Sequence, residues 1–427
     1  MIIRKTKRAW QWVPSLYYAE GLPYAFVMIV STIMYKNLGI SNTAIALYTS
    51  WLYLPWVIKP LWSPLVDILK TKRFWIIIMQ LIIGAGLAGI ALTLPTDNAF
   101  KYTLAFFWLI AFSSATHDIA ADGFYMIALS SHDQAWWVGI RNSFYRLAII
   151  TGQGLLVMLA GLLNDWTGNM ATAWSMLFGC LAVLFIILGF YHRFQLPFPK
   201  TDYSHENENV GVVLKNFFHV FATFFQKPKI ILILSFILLY RFGEAQLVKV
   251  APLFMLDDYA AGGLGLNNVE LGFIQGMMGI IMLTLGGILG GLLVAKHGLK
   301  TWILWMAIAM KLPDIVYVIM AYTQMDSIAF ITAFVAIEQF GYGFGFTAYM
   351  LFMMMISEGE HKTTHYALCT GFMALGMMLP GMFSGALQEA IGYQYFFIWV
   401  MVATIPGLVL IKFLNIDPGY GIKKETE

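Results

Sequence analysis

The sequence is short of charge. Lys and Arg number 26 and Asp and Glu 23, so charged residues make up 11% of 427, against about 25% in a soluble globular chain. So few charges cannot clothe a soluble surface of this size, which excludes a soluble enzyme, a nucleic-acid binder and a disordered scaffold. The net charge of +3 is too small to point to a polyanion partner. Cysteine is nearly missing. Cys180 and Cys369 lie far apart in apolar runs, so neither a disulfide framework nor a zinc site is indicated. There is no His-Glu-x-x-His motif and no large polar domain. No cofactor and no metal are expected.

What the chain has is apolar length. Hydrophobic residues make up 59% of it, and the mean hydropathy is +0.72. A membrane-crossing helix needs about 20 mostly apolar residues. Twelve runs qualify, at approximately 12–36, 42–68, 74–95, 101–128, 137–163, 172–192, 230–256, 268–295, 301–322, 327–351, 364–390 and 393–414. They are too long for barrel strands and lack two-residue alternation. Arg4, Lys5, Lys7 and Arg8 precede the first run, but no small-residue cleavage site follows it, so it reads as an uncleaved span. The expected fold class is an all-α integral membrane protein with twelve transmembrane helices.

Basic residues in short loops set the orientation. One side has the N-terminal cluster, Lys70, Lys72, Arg73, Lys296, Lys300, Lys362, Lys423 and Lys424. The other has Lys36 and Lys101 among Asp97, Asp165, Asp257, Asp258, Glu270 and Asp326. The basic side is expected to be cytoplasmic, with both termini inside. The longest polar stretch, 193–229, contains Asp202, His205, Glu206 and Glu208 and an amphipathic piece from Val213 to Phe225. It reads as a cytoplasmic linker with a helix lying on the membrane surface. It separates an N-terminal six-helix bundle, 1–192, from a C-terminal one, 230–427.

The two bundles resemble each other. Leu38-Gly39-Ile40-Ser41-Asn42-Thr43 is matched 226 residues later by Leu264-Gly265-Leu266-Asn267-Asn268-Val269. Each has a Ser or Asn placed to cap the next helix. Trp75 and Trp302, both just after a Lys-containing loop, are 227 apart. Two pseudo-symmetric halves suit a secondary transporter of major facilitator type, with alternating access around a central site.

Ionisable residues inside a membrane are costly and point to function. The runs contain Glu20, Asp118, Asp122, Arg141, Arg146, Arg241, Glu244, Lys249, Lys311, Asp314 and Glu338. In a major facilitator arrangement spans one, four, seven and ten line the cavity, and each carries a carboxylate here. Asp118 and Asp122 are four apart and share a helix face; the depth of Asp122 matches that of Arg146, so a pair between these adjacent helices is expected. Arg241 and Glu244 can meet on one helix. Glu338 has no sequence-local partner. Lys311 and Asp314 are expected to pair with each other on a peripheral span. Proton-coupling candidates are therefore Asp118, Asp122, Glu338 and Glu20. The bland alternative is static ion pairing that fixes helix packing. His117 reads as a hydrogen-bonded residue before a relay. Gly286, Gly287, Gly290 and Gly291, like Gly341 and Gly345, read as close-packing positions.

Several stretches carry a family resemblance: Glu20-Gly21-Leu22-Pro23, Lys59-Pro60-Leu61-Trp62-Ser63-Pro64-Leu65-Val66-Asp67, Ser114-Ala115-Thr116-His117-Asp118-Ile119-Ala120-Ala121-Asp122, Tyr145-Arg146-Leu147, Tyr240-Arg241-Phe242-Gly243-Glu244 and Glu338-Gln339-Phe340-Gly341. They resemble the AmpG-type muropeptide permeases, in the peptide–acetyl-CoA transporter branch of the major facilitator superfamily. The resemblance spans roughly residues 15–415. It implies proton-driven import of anhydromuropeptides through a bacterial inner membrane by a multi-pass protein, expected to act as a monomer. The partners are then a small-molecule substrate, protons and the lipid bilayer. Such ligands are sugars bearing carboxylates, which suits Arg146, Arg241, Glu244, Lys249, Tyr125, Tyr240 and Tyr342 as substrate-binding candidates. Asp67, Lys72 and Arg73 form the expected gating loop. Related branches move siderophores or acetyl-CoA, so a different solute such as a siderophore or an oligosaccharide is the alternative. A polytopic membrane enzyme or a non-transporting sensor is the alternative of a different class.

The orientation is testable. A cysteine placed in the 193–229 linker should resist an impermeant thiol reagent added to intact spheroplasts. Rapid labelling there would reverse the topology.

Overall fold

The computed structural model describes the backbone of residues 9–199, 202, 210–359 and 361–422. It describes their side chains apart from those of 65, 67, 68, 131, 132, 135, 138, 210–217 and 363. Among these residues every regular element is a helix. Nine helical stretches cross once each. They are the first span Val13–Asn37, third Lys72–Thr93, fourth Ala99–Ala128, fifth Gly139–Thr167, sixth Met170–Gln195, seventh Ile230–Leu256, eighth Asn268–His297, ninth Leu299–Thr323 and tenth Ile328–Ser357. A further stretch, Thr364–Ile411, has 48 residues. Unbroken, it would be about 72 Å long, more than twice the roughly 30 Å hydrocarbon core. It is broken at Gly392, whose φ of 75° and ψ of 165° no helix contains. It thus supplies the eleventh and twelfth spans. The second span comes in two pieces, Asn42–Trp51 and Leu54–Leu69, the latter holding Pro60 and Pro64. Twelve spans result, at the positions the apolar runs indicate.

The helix starts follow local chemistry. Ser41 Oγ accepts from the Ala44 amide at 3.3 Å ahead of the second span. Asn267 Oδ1 accepts from the Glu270 amide at 2.9 Å, and Glu270 returns the bond to the Asn267 amide at 2.9 Å. That reciprocal pair is a capping box. Thr71 caps the third span through the Phe74 amide. The residues matched between the halves are therefore the ones that begin equivalent helices.

Two compact units form. The first comprises Met1–Leu38 with Ile58–Phe217, and the second Gly39–Val57 with Phe218–Glu427. This departs at one place from a simple cut in the linker, because Gly39–Val57 belongs with the second unit. The reason is packing and hydrogen bonding. Asn42–Trp51 lies along helix Lys362–Ala403. The Asn42 amide donates to Gln388 Oε1 at 2.8 Å and to the Tyr393 hydroxyl at 3.0 Å. Thr43 donates to Glu389 through its backbone amide at 3.0 Å, and also through its hydroxyl.

In the first unit the first span packs on the fifth, and the third on the fourth and sixth. Trp12, Tyr17, Phe124 and Trp137 lie in its core. In the second unit the eighth and ninth spans pack on the tenth, around Phe236, Tyr240, Met306, Tyr349 and Phe352. The linker helix Val210–Phe225 does more than lie on a surface. Phe224 is wholly buried in the core of the second unit, and Thr223 Oγ1 is 3.1 Å from His365 Nε2.

Glycine sets how closely the tenth span approaches its neighbours. A Cβ on Gly343 would stand 1.9 Å from the Leu283 carbonyl oxygen, and one on Gly341 would stand 2.1 Å from that of Ala309. The backbone of the tenth span therefore touches the eighth and the ninth at once, as small residues permit. Gly291 faces open space instead. Gly341→Ala should lower stability by about 1–3 kcal/mol, the usual cost of overpacking, while Gly291→Ala should not. Thermal unfolding in detergent measures both, and equal unfolding temperatures would refute the close-packing role.

Candidate functional site

Polar clusters lie inside both units. In the first, Tyr17 and Glu20 stand three apart on the first span, and Asp118 and Asp122 stand four apart on the fourth, so each pair shares a face. Lys59 Nζ is 2.8 Å from Asp118 Oδ2. Arg141 Nη1 is 3.0 Å from Asp122 Oδ1 and donates to the Tyr17 hydroxyl at 2.7 Å. Tyr17 in turn donates to Asp122 Oδ1 at 3.1 Å. The Arg141 guanidinium lies over the rings of Tyr17 and Tyr125, 4.6 and 4.9 Å from their centroids. Tyr125 is itself tied by its hydroxyl to the Gln134 carbonyl. Glu20 is buried, and its Oε2 accepts no bond from a described residue. Three carboxyl groups thus meet two bases.

The pairing differs from the sequence expectation. Asp118 is held by Lys59 and Asp122 by Arg141, where Arg146 was the expected partner. Arg146 lies five positions beyond Arg141, which turns it about 140° around the helix; it is half-buried. His117 joins a separate buried chain. Its Nε2 is 2.9 Å from Gln80 Nε2, Gln80 Oε1 is 2.8 Å from His192 Nδ1, and His192 Nε2 is 3.0 Å from Ser15 Oγ.

In the second unit, helix breaks position the charges. The seventh span is interrupted at Arg241, between Ile230–Leu239 and Phe242–Leu256. The ninth is interrupted at Leu312–Asp314, where Pro313 follows helix Leu299–Lys311 and cannot supply the next amide. Arg241 donates to the Tyr342 hydroxyl, and its guanidinium lies 5.3 and 5.0 Å from the ring centroids of Tyr342 and Phe346. Lys311 donates to the Tyr240 carbonyl at the first break.

Asp314 is therefore not hydrogen-bonded to Lys311 as its spacing suggested. Neither of its oxygens accepts a bond from a described residue. Glu338 does have a sequence-local partner, because Gln339 Nε2 donates to its Oε2 at 3.0 Å. The Tyr317 hydroxyl donates to the same oxygen at 3.3 Å.

The remaining candidates are dispersed. Lys249 Nζ donates to Thr49 Oγ1 at 2.8 Å and lies 5.5 Å from the Tyr53 ring centroid. Tyr240 stacks on Tyr349 at 4.9 Å and donates to the Gly345 carbonyl, so its ring belongs to the core. The Lys72 and Arg73 amides both donate to the Asp202 carboxylate, and the Arg73 guanidinium lies 3.8 Å above the centroid of the Phe198 ring. The Asp67 side chain lies outside the described residues.

Sequence reasoning missed the roles of Lys59 and Tyr17. A lysine inside the second apolar run was the available signal for the first. If Lys59 chiefly neutralises Asp118, Lys59→Met should lower the folded yield, and Lys59→Met with Asp118→Asn should restore it. Fluorescence-detected size exclusion reads both. Equal yields for the two would show that the pair is dispensable to folding.

Comparison with known proteins agrees with this architecture. The family model of the Major Facilitator Superfamily matches residues 17–354. The anhydromuropeptide permease of Escherichia coli (strain K12) is 25% identical over 406 residues, covering 92% of this chain and 77% of that protein. The putative transporter AmpG 4 of Rickettsia conorii is 23% identical, covering 93% of this chain and 94% of its own length. Among solved structures, the nucleoside transporter NupG superposes with a TM-score of 0.70 at 13% identity, covering 96% of this chain and 100% of that one. The D-xylose–proton symporter does so with a TM-score of 0.65 at 13% identity, covering 97% and 98%. At that identity they speak for the fold alone. A multi-pass helical protein with this match along most of its length is a transporter-family protein: the chain belongs to the Major Facilitator Superfamily and resembles its AmpG-type permeases.

Proposed function

We propose that the protein imports an amphipathic, saccharide-bearing solute together with a proton, and that the solute is an anhydromuropeptide from cell-wall recycling. The observation that carries the coupling is Glu20, buried with an Oε2 that accepts no hydrogen bond from a described residue, in the unit where Asp118 and Asp122 are each paired to a base. Ionised carboxylates only accept hydrogen bonds. Lys59 and Arg141 balance two of the three negative charges, which leaves Glu20 as the carboxyl group to hold a proton. That is one exchangeable proton at a place where bases can be re-paired. Asp122 is the alternate carrier, since it shares the face of Asp118.

The substrate reading rests on the permease of Escherichia coli and on local chemistry. Arg241, framed by Tyr342 and Phe346, combines a carboxylate-binding fork with aromatic faces suited to sugar rings. Lys249, in the same unit, adds positive charge for an anionic peptide. We place the protein in the bacterial inner membrane as a monomer with both termini cytoplasmic. The basic residues Lys70, Lys72, Arg73, Lys296, Lys300 and Lys362 on one set of loops support that orientation.

The test is uptake of labelled anhydromuropeptide into reconstituted vesicles, with and without an imposed proton gradient. Glu20→Gln, Asp118→Asn and Asp122→Asn are compared for exchange and for driven uptake. At least one should keep exchange at near wild-type rate and lose accumulation. Absence of exchange in the wild type removes the substrate assignment. Accumulation indifferent to the gradient removes the coupling.

A further inference from the structure

We propose that Glu244, Asp314 and Glu338 form a binding site, inside the second unit, for a monovalent metal cation of the sodium class. Each offers one carboxylate oxygen, and these three oxygens lie within 4.8 Å of one another. Hard cations take oxygen ligands at about 2.3–2.6 Å, so two oxygens on one ion stand no more than about 5 Å apart. The spacing fits a common ion. All three groups are withdrawn from the surface, with 2%, 2% and 1% of Glu244, Asp314 and Glu338 exposed.

A second observation points the same way. Both oxygens of Glu244 and both of Asp314 accept no hydrogen bond from any described residue. Buried acceptors left without a partner are costly, and here four of them belong to one cluster. The nearby bases make their described hydrogen bonds elsewhere, although Arg241 Nε makes none. Lys311 donates to the Tyr240 carbonyl and Arg241 to the Tyr342 hydroxyl. A cation among the carboxylates would satisfy what those donors do not.

Charge selects the valence. Lys311 acts electrostatically on Asp314 and Glu244, and Arg241 acts on Glu244. Three acids against two bases leave one negative charge. One monovalent ion brings the buried cluster to neutrality, whereas a divalent ion would leave a positive charge out of water, which is expensive. Donor type selects the class, since oxygen ligands suit hard ions over soft transition metals. Tyr317 and Gln339 hold Glu338 in place through its Oε2, the outer support that ion ligands commonly have.

The frame is built for this. The contact of Gly341 with the Ala309 carbonyl brings the tenth span against the ninth, and with it Glu338 toward Asp314. Glu244 and Asp314 lie within a turn of breaks in their own helices, an arrangement transporters use around coupling ions. The three acids come from three spans, so no spacing along the chain reveals them.

The site stands whether or not the transport reading holds, and its test needs neither substrate nor vesicles. Purified full-length protein in detergent is unfolded thermally in sodium, potassium and choline chloride at equal ionic strength across a range of pH. Sodium should raise the unfolding temperature saturably, most at alkaline pH where protons compete least, while potassium and choline should not. One radioactive sodium ion should bind per chain. Asp314→Asn and Glu338→Gln should each weaken apparent sodium affinity by at least about tenfold, and Asp326→Asn, on an exposed loop, should not. If the site variants fail to fold, the wild-type titration and stoichiometry decide. Equal stabilisation by the three salts overturns the proposal. So does stabilisation by pH alone, which would make the cluster a proton site, and so does sodium binding unchanged in Asp314→Asn.

Discussion

A charge inside a membrane-spanning bundle has to be answered by side chains in the same bundle. Leaving it unanswered costs several kcal/mol. That requirement organises both units. In the first, Lys59 and Arg141 answer Asp118 and Asp122, with Tyr17 as the bridge. In the second, Arg241 and Lys311 stand beside Glu244, Asp314 and Glu338. In each case the described acids outnumber the bases that face them by one. The helices are thereby tied together.

Backbone irregularity makes that arrangement reachable. A continuous seventh span would use the carbonyl of Tyr240 within its own ladder. The break at Arg241 leaves it to receive Lys311. Pro313 does the equivalent on the ninth span, ending one helix so that Asp314 sits at the start of the next. Gly341 and Gly343 then allow the tenth span to come within backbone contact on two sides. Wider π turns at Phe26–Val30, Ile150–Leu156 and Gly272–Gly279 add three more departures from regular helix, a feature that recurs where function resides.

The spans were legible because length and hydropathy alone define them, and so were the Ser41 and Asn267 caps, which depend on local chemistry. Acids four apart could be assigned to one face. Their partners could not, since Lys59 and Arg141 reach Asp118 and Asp122 across helices, and helix rotation is set by packing rather than by depth. Depth brought Arg146 into consideration, whereas the angle around the helix gives Asp122 to Arg141. Lys311 and Asp314 looked self-sufficient at a spacing of three, yet the turn between them is a 3₁₀ turn at Pro313, and Lys311 gives its hydrogen bond to the Tyr240 carbonyl instead. The membership of Gly39–Val57 in the second unit is a tertiary fact with no local signature.

That last feature bears on how the polypeptide can be divided. A chain severed in the linker would leave Asn42–Trp51 on the N-terminal fragment, while Gln388, Glu389 and Tyr393, which take its hydrogen bonds, would be on the other. The N-terminal fragment would carry Asn42 and Thr43 without the side chains that take these hydrogen bonds. Its quality would then depend on the companion fragment being made at the same time. The hydrogen bonds of Asn42 would form across the cut, as the contact that joins two separately translated pieces into one carrier.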